Sequence, residues 1–209
     1  MNNHIILVDK KEGISSYFVI KMIKKLYHTN KVGHCGTLDP FATGLMILLS
    51  GKMTKKSNEF LKLDKVYEAE MKLGFTSTTG DPEGEITEVG SVIPEMTDIQ
   101  KVLDFFTGEI SQTVPKFSAV KINGERAYKL ARKGTDFETP TRKITIYKIE
   151  LLDYSYPTLK IRCHVSSGTY IRTLAEDIGK ALGTSAYLTA LRRTQIDNYH
   201  IEDAKKVVL

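Results

Sequence analysis

The amino-acid sequence predicts an α+β protein in which a mainly antiparallel, mixed sheet is flanked by helices. Three observations carry that reading. Residues 66–73 alternate strictly, with Tyr67, Ala69, Met71 and Leu73 on one side and Glu68, Glu70 and Lys72 on the other, the pattern of a strand with one wet face. Residues 144–154 and 159–166 are strand-like segments arranged around Tyr156-Pro157, as in an antiparallel pair. Residues 169–182 repeat Ile171, Leu174, Ala175, Ile178 and Leu182 at helical spacing, and Gly183 stops the repeat.

The remaining elements follow in order. Residues 4–9, HIILVD, read as a short buried strand. Ser15 and Ser16 suit the N-cap of a helix running to about His28, with Phe18, Val19, Met22, Ile23, Leu26 and Tyr27 on one stripe and Lys21, Lys24 and Lys25 outside it. Asn30 is expected to close it in a left-handed cap. A glycine-rich segment, 33–44, leads into LMILLS, a buried strand, and 52–61 is expected to form a short helix. The acidic stretch 79–88 holds Gly80, Pro82 and Gly84 and reads as a loop. Thr97 is expected to cap a helix that turns Ile99, Val102, Leu103 and Phe106 inward. Residues 116–122 run into Asn123-Gly124, a two-residue hairpin turn. RAYKLARKG then reads as a helix stopped by Gly134, and 186–192 as a further short helix. One domain spanning 1–209 is expected.

Composition excludes several classes. Hydrophobic residues make up 41% and charged residues 26% of the 209, which is ordinary for a globular protein. No segment approaches the ~20 apolar residues of a membrane-spanning helix, and MNNHIILVDKKEG lacks the features of a signal peptide, so a cytoplasmic location without membrane association is expected. Two cysteines, Cys35 and Cys163, give no disulfide scaffold. The net charge of +5 is unevenly distributed: 61–110 carries 4 basic against 11 acidic residues, and 111–149 carries 9 against 3. Such blocks fit a polyanion-binding face, and equally a set of solvated helix faces.

The chemistry concentrates in GHCGTLDPFATGL, residues 33–45. Gly33, Gly36 and Gly44 let the chain bend or approach a ligand closely, and Pro40 stiffens the segment that presents Asp39. That suits a placed carboxylate; an isolated Asp-Pro also simply opens a turn. A phosphate-binding loop is excluded, because Gly51-Lys52 has no glycine five residues upstream of Gly51 and no Ser or Thr after the lysine. His34-Cys35 and Cys163-His164 lack metal-ligand spacing, and adjacent strand residues face opposite ways, so no metal is expected.

GHCGTLDPFATGL followed by SGKMTK resembles the signature of the tRNA pseudouridine synthase B family. The resemblance extends in order through DKKEGISS, LDKVYEAEMKLGFTSTTGDPEGEI, QTVPKFSAVKINGERAYKLARKG, SSGTYIRTLAEDIG and LRRT, almost the whole chain. Departures are Lys11 in place of proline, Cys35 of threonine, Met53 of alanine and Val114 of the first of two prolines. The resemblance implies the pseudouridine synthase fold and isomerisation of uridine 55 in the tRNA T-loop, without cofactor; a monomer is expected, because RNA rather than a second subunit would occupy the basic face. The length leaves no room for the PUA-like RNA-binding domain that many members carry at the C-terminus, and weaker tRNA binding is expected from that.

The resemblance also assigns roles. Asp39 acts at the ribose, Arg172 pairs with it, and Tyr67 lies against the uracil. Read from the residues alone, Arg172 is a surface arginine and Tyr67 a core residue. His34 fills the space of the flipped base. Tyr170, Leu191 and Lys10 complete the substrate-binding set. A basic insertion near 111–143 supplies backbone contacts through Lys116, Lys121, Arg126, Lys129, Arg132 and Lys133, with Tyr128 as a stacking residue. Two alternatives stand beside this: a tRNA-folding chaperone in which chemistry is secondary, and a pseudouridine synthase with another target.

Overall fold

The computed structural model describes residues 4–90 and 92–206. Strand β1 (Ile5–Lys10) leads to helix α1 (Ser16–Leu26), capped by Ser15, whose hydroxyl accepts the Phe18 amide at 3.1 Å. The helix closes at His28, with φ 47, rather than at Asn30. The His28 amide donates to Lys25 and the Thr29 amide to Lys24, the paired bonds of a Schellman motif, so the left-handed residue falls two positions earlier than expected. Strand β2 (Val32–His34) and β3 (Thr43–Ser50) bracket the glycine-rich loop. A 3-10 turn, Gly51–Lys56, then runs into α2 (Ser57–Leu61), so the helix expected at 52–61 is α-helical only in its second half.

Strand β4 (Lys65–Leu73) alternates as expected, with Tyr67, Ala69, Met71 and Leu73 buried. Strands β5 (Phe75–Ser77) and β6 (Ile86–Glu88) pair, which turns the end of the acidic stretch into a strand rather than a loop. Helix α3 (Met96–Phe105) begins at Glu95, whose carbonyl takes the amides of Asp98 and Ile99. Thr97 therefore lies inside the first turn instead of capping it. Strand β7 (Gly108–Thr113) precedes the hairpin of β8 (Lys121–Ile122) and β9 (Glu125–Arg126). Asn123 (φ 49) and Gly124 (φ 88) make its tight turn, and α4 (Ala127–Arg132) stops before Gly134 (φ 68).

Strands β10 (Thr141–Ser155) and β11 (Thr158–Val165) turn at Tyr156-Pro157, a cis peptide, and α5 (Ile171–Ala181) follows. Residues 186–192 are not a helix. They open β12 (Ala186–Ile196), which runs parallel to β3 with Arg192 opposite Thr43 and Arg193 opposite Gly44. Ladder bonds to a strand far away in sequence override the local helical preference. Strand β13 (Tyr199–His200), a 3-10 turn at Ile201–Asp203 and β14 (Lys205–Lys206) complete the described chain.

The fold is α+β with a mainly antiparallel, mixed sheet, and it divides into two compact units. The first comprises described residues 4–68, 163–167 and 190–206. There β3 pairs antiparallel with β1 and β2 and parallel with β12, and β14 adds a second parallel pair at β1. Cys35, Leu45, Ile47, Leu49, Phe60 and Ile196 form a core cluster within it. The second unit comprises 69–162 and 168–189, apart from undescribed position 91. In it β10 pairs antiparallel with β7, α3 packs on β10 and α5, and Ile99, Leu103, Leu174 and Ile178 are buried.

Helix α5 carries one glycine, Gly179, where a Cβ would lie 2.5 Å from the Ala186 nitrogen. Alanine raises helix propensity by ~1 kcal/mol. Backbone cannot withdraw as a side-chain tip can, so the clash should win. Gly179→Ala is expected to destabilise by about 1–3 kcal/mol in urea unfolding; a stabilised variant would contradict this packing.

Candidate active site

The loop between β2 and β3 presents Asp39, and the backbone on both sides of Asp39 is held. The Ser16 hydroxyl donates to the Leu38 carbonyl at 2.8 Å and accepts the Leu38 amide at 2.9 Å. The Pro40 carbonyl accepts from Lys10 Nζ at 3.0 Å and from the Gly13 amide at 2.9 Å. The Ala42 amide closes a turn on the Asp39 carbonyl at 3.1 Å. Leu38, Phe41 and Ala42 are buried, while Asp39 is half-buried. Lys10, expected at the substrate, is fully buried. It also donates to the carbonyls of Lys11 and Ile14, so what its ammonium visibly does is hold the loop from behind.

Tyr67, Leu191 and His34 belong to the same unit as Asp39. Tyr67 and Leu191 are each 8% exposed, on β4 and β12. His34 is half-buried and its Nδ1 is buried without a hydrogen-bond partner. Burial and then the Arg193 cation push the His34 pKa below its ordinary 6.5, so the ring is neutral. Arg193 is itself 1% exposed; its Nε donates to the Leu45 carbonyl at 2.7 Å and Nη2 to the Gly36 carbonyl at 3.2 Å. Lys65, buried on β4, bonds the carbonyls of Leu61 and Leu63, and burial and Arg193 push its pKa down to about 8. Burial pushes the Cys35 thiol up to about 11 and Cys163 to about 12, so neither is a ready thiolate. Among the described residues no three His, Cys, Asp or Glu side chains gather as a metal site would require.

In the second unit, Arg172 sits in the first turn of α5 and is 5% exposed. Its Nη1 donates to the Thr79 carbonyl at 2.9 Å and Nη2 to the Phe117 carbonyl at 2.8 Å, with Nε 3.6 Å from the Asp81 carboxylate. Asp81 is buried too, and accepts the Thr79 hydroxyl at 2.6 Å and the Glu83 amide at 3.0 Å. The acidic stretch is thus folded around Arg172. Tyr170 caps α5 from a half-buried position and exchanges two hydrogen bonds with the buried Gln112 amide, at 2.8 and 3.0 Å.

All six expected backbone-contact residues, Lys116, Lys121, Arg126, Lys129, Arg132 and Lys133, are exposed. They lie on and around the β8–β9 hairpin and α4. Lys116 pairs with Asp136 at 3.1 Å and Lys133 with Glu125 at 2.7 Å. Arg132 lies 5.7 Å from the centre of the Tyr128 ring.

The model of the TruB family pseudouridylate synthase N-terminal domain matches residues 24–171, and that of the tRNA pseudouridylate synthase B C-terminal domain matches 172–209. The chain belongs to the TruB family. The tRNA pseudouridine synthase B of Borreliella afzelii is 44% identical over 98% of this chain and 73% of its own length. That of Endomicrobium trichonymphae is 44% identical over 96% of this chain and 87% of its own length. A chain of a Cbf5–Nop10–Gar1 complex superposes with a TM-score of 0.75 at 31% identity, over 97% of this chain and 52% of that one. This chain therefore spans about half the length of such solved chains. A pseudouridylate synthase with a TM-score of 0.51 at 16% identity shares the fold.

Two buried contacts of the expected site residues, Asp81 beside Arg172 and Arg193 behind the Asp39 loop, are not legible in the sequence. Asp81 is one acid among several in a stretch that reads as a loop, although Pro82 follows it just as Pro40 follows Asp39. Arg193 is hidden as long as 186–192 reads as a helix. On a strand, Leu191 and Arg193 share a face and Arg192 takes the other, where it grips Asp9 at 2.9 and 3.2 Å.

The depressed His34 pKa has a stability consequence. The folded ring resists the proton that the unfolded ring accepts near 6.5, so its contribution is complete above that pH and is lost as pH falls through it. In thermal melts between about pH 8 and about pH 5, a range that brackets ordinary histidine titration, His34→Gln should show a shallower fall in Tm than the parent. Parallel curves would refute a neutral His34.

Proposed function

We propose that the chain converts uridine 55 in the T-loop of tRNA to pseudouridine. The observation that carries the proposal is Asp39 standing on a backbone tied at Leu38 and Pro40, within residues 24–171 that the family model matches. A group that must meet one carbon of a bound nucleotide needs such fixed placement. The reaction breaks the bond from ribose C1′ to uracil N1 and makes one from C1′ to C5; the C5 proton leaves and N1 gains one. Atoms and electrons balance without a cofactor.

Asp39 acts at C1′, and Arg172 pairs with it in the substrate complex, a guanidinium favouring the ionised carboxylate. Tyr67 packs on the uracil and is the group positioned to receive the C5 proton, with Leu191 and Tyr170 beside the pocket. A neutral His34 suits the space the uridine leaves in the base stack, since a ring without charge enters it at smaller desolvation cost. The exposed basic residues of 116–133 meet the phosphates. The protein acts as a monomer, in the cytoplasm.

Asp39→Asn separates this reading from a tRNA-folding chaperone. Binding of a tRNA transcript should stay within about threefold while pseudouridine falls below detection, because the neutral amide retains size but not the anion. Undiminished product would overturn the proposal. Lys121→Ala with Lys129→Ala should weaken binding and flatten the slope of log affinity against log salt by roughly 0.7 for each phosphate no longer neutralised, read by fluorescence anisotropy. An unchanged slope would remove these two lysines from the interface.

A further inference from the structure

Arg193 lies outside the roles assigned above, yet both ends of the Asp39 loop close on it. Its Nη2 takes the Gly36 carbonyl at the start of the loop and its Nε the Leu45 carbonyl just past its end. Two glycines mark the same contacts. At Gly44 (φ 106) a Cβ would stand 2.3 Å from the Arg193 carbonyl oxygen and 2.7 Å from its nitrogen; at Gly36 (φ 117) it would stand 3.4 Å from Nη1. Strand β12 therefore reaches the loop with its backbone at one end and its guanidinium at the other. Among the described residues no carboxylate pairs with this buried cation, and the carbonyls take that place. A buried charge so held is costly, and an apolar side chain would fill the volume with less penalty. The arginine has a use that the apolar chain lacks: a planar fork whose separate nitrogens fix two carbonyls at once.

We propose that Arg193 is the positioning residue for Asp39, its guanidinium setting the width of the loop by holding the Gly36 and Leu45 carbonyls together. Resting on the reading of Asp39 as the acting carboxylate, the proposal makes Arg193 a determinant of turnover and not of RNA affinity. The His34 pKa is lowered by burial first and by the same Arg193 cation second. Lysine at the position keeps the charge but donates from a single nitrogen, without the planar fork that takes the Gly36 and Leu45 carbonyls from separate nitrogens; methionine donates to neither.

The test compares the parent chain with Arg193→Lys, Arg193→Met and Gly36→Ala on an unmodified tRNA transcript. Thermal melts establish folding, filter binding gives Kd, and tritium release from C5-labelled uridine gives the single-turnover rate. A misplacement of ~1 Å costs on the order of a hundredfold in rate. Folded Arg193→Met should therefore turn over about a hundredfold slower with Kd within about threefold, and Arg193→Lys should recover part of the rate. Gly36→Ala retains the arginine, puts its Cβ only in ordinary contact with Nη1 and strains the loop backbone at φ 117; it should also be slow at unchanged Kd, and it tests whether turnover follows the loop's geometry should neither arginine variant fold. Parent-like rates in a folded Arg193→Met, or in Gly36→Ala, overturn the proposal. So do rate losses that merely follow lost binding. A parent chain that binds tRNA but forms no pseudouridine overturns the functional reading itself, which keeps the two failures apart.

Discussion

The carbonyl of Pro40 accepts two hydrogen bonds, from Lys10 and from the Gly13 amide, and the peptide of Leu38 is held at both its polar ends by one hydroxyl, that of Ser16. Asp39 lies between them. Pro40 has its φ fixed by its ring, so little freedom is left in the backbone that aims the carboxylate. Much of the first unit can be read as a consequence. Ser16 is the first residue of α1, so the start of that helix fixes where Leu38 sits. The Ser15 cap and the closure at His28 keep the helix from fraying at either end. A helix cap that touches no reacting atom thereby bears on placement of the acid, through one shared peptide.

The buried positive charges of this unit follow one rule. Lys10, Lys65 and Arg193 each give hydrogen bonds to two or more backbone carbonyls, most of them outside regular structure. A cation satisfies several carbonyls at once, and each such bond is stronger than a neutral one. The cost shows in the neighbours: burial and Arg193 together lower the pKa of both His34 and Lys65. In the second unit Arg172 uses the same carbonyl bonds but adds a buried carboxylate, Asp81. Beside it, Gly80 admits Glu176 within 2.7 Å of where a Cβ would stand.

What the sequence disclosed was local. Strict alternation gave β4, Asn123-Gly124 gave the β8–β9 hairpin, and helical spacing with Gly183 gave α5, since each rests on residues near one another in the chain. The errors were also physical. Thr97 is a good cap by type, but the Glu95 carbonyl starts α3 two residues earlier. Asn30 tolerates a left-handed backbone, but the paired bonds of the Schellman turn select His28. The segment 186–192 has no local feature that demands a strand; its partner β3 lies more than a hundred residues away. For the site, the glycine-rich motif led to Asp39, whereas Asp81 and Arg193 matter through contacts that only the folded chain creates.

Strand β12 shows why the pairing of a distant strand decides which residue is buried. Side chains on a strand alternate between faces, so a slip of one residue in β12 would turn Leu191 and Arg193 outward and bring Arg192 in. The register is fixed opposite Gly44, because no residue with a Cβ could stand where the Arg193 backbone passes. It is fixed again on the other face, where Arg192 holds the Asp9 carboxylate through both terminal nitrogens. A salt bridge that is partly exposed contributes little to stability by itself. Here its consequence is geometric: with Arg192 committed to Asp9, the residue after it must point inward, toward Gly36 and Leu45. Three consecutive residues thus make different contacts, Leu191 buried, Arg192 on the Asp9 carboxylate and Arg193 on the Gly36 and Leu45 carbonyls, and the pleat of the strand makes the division.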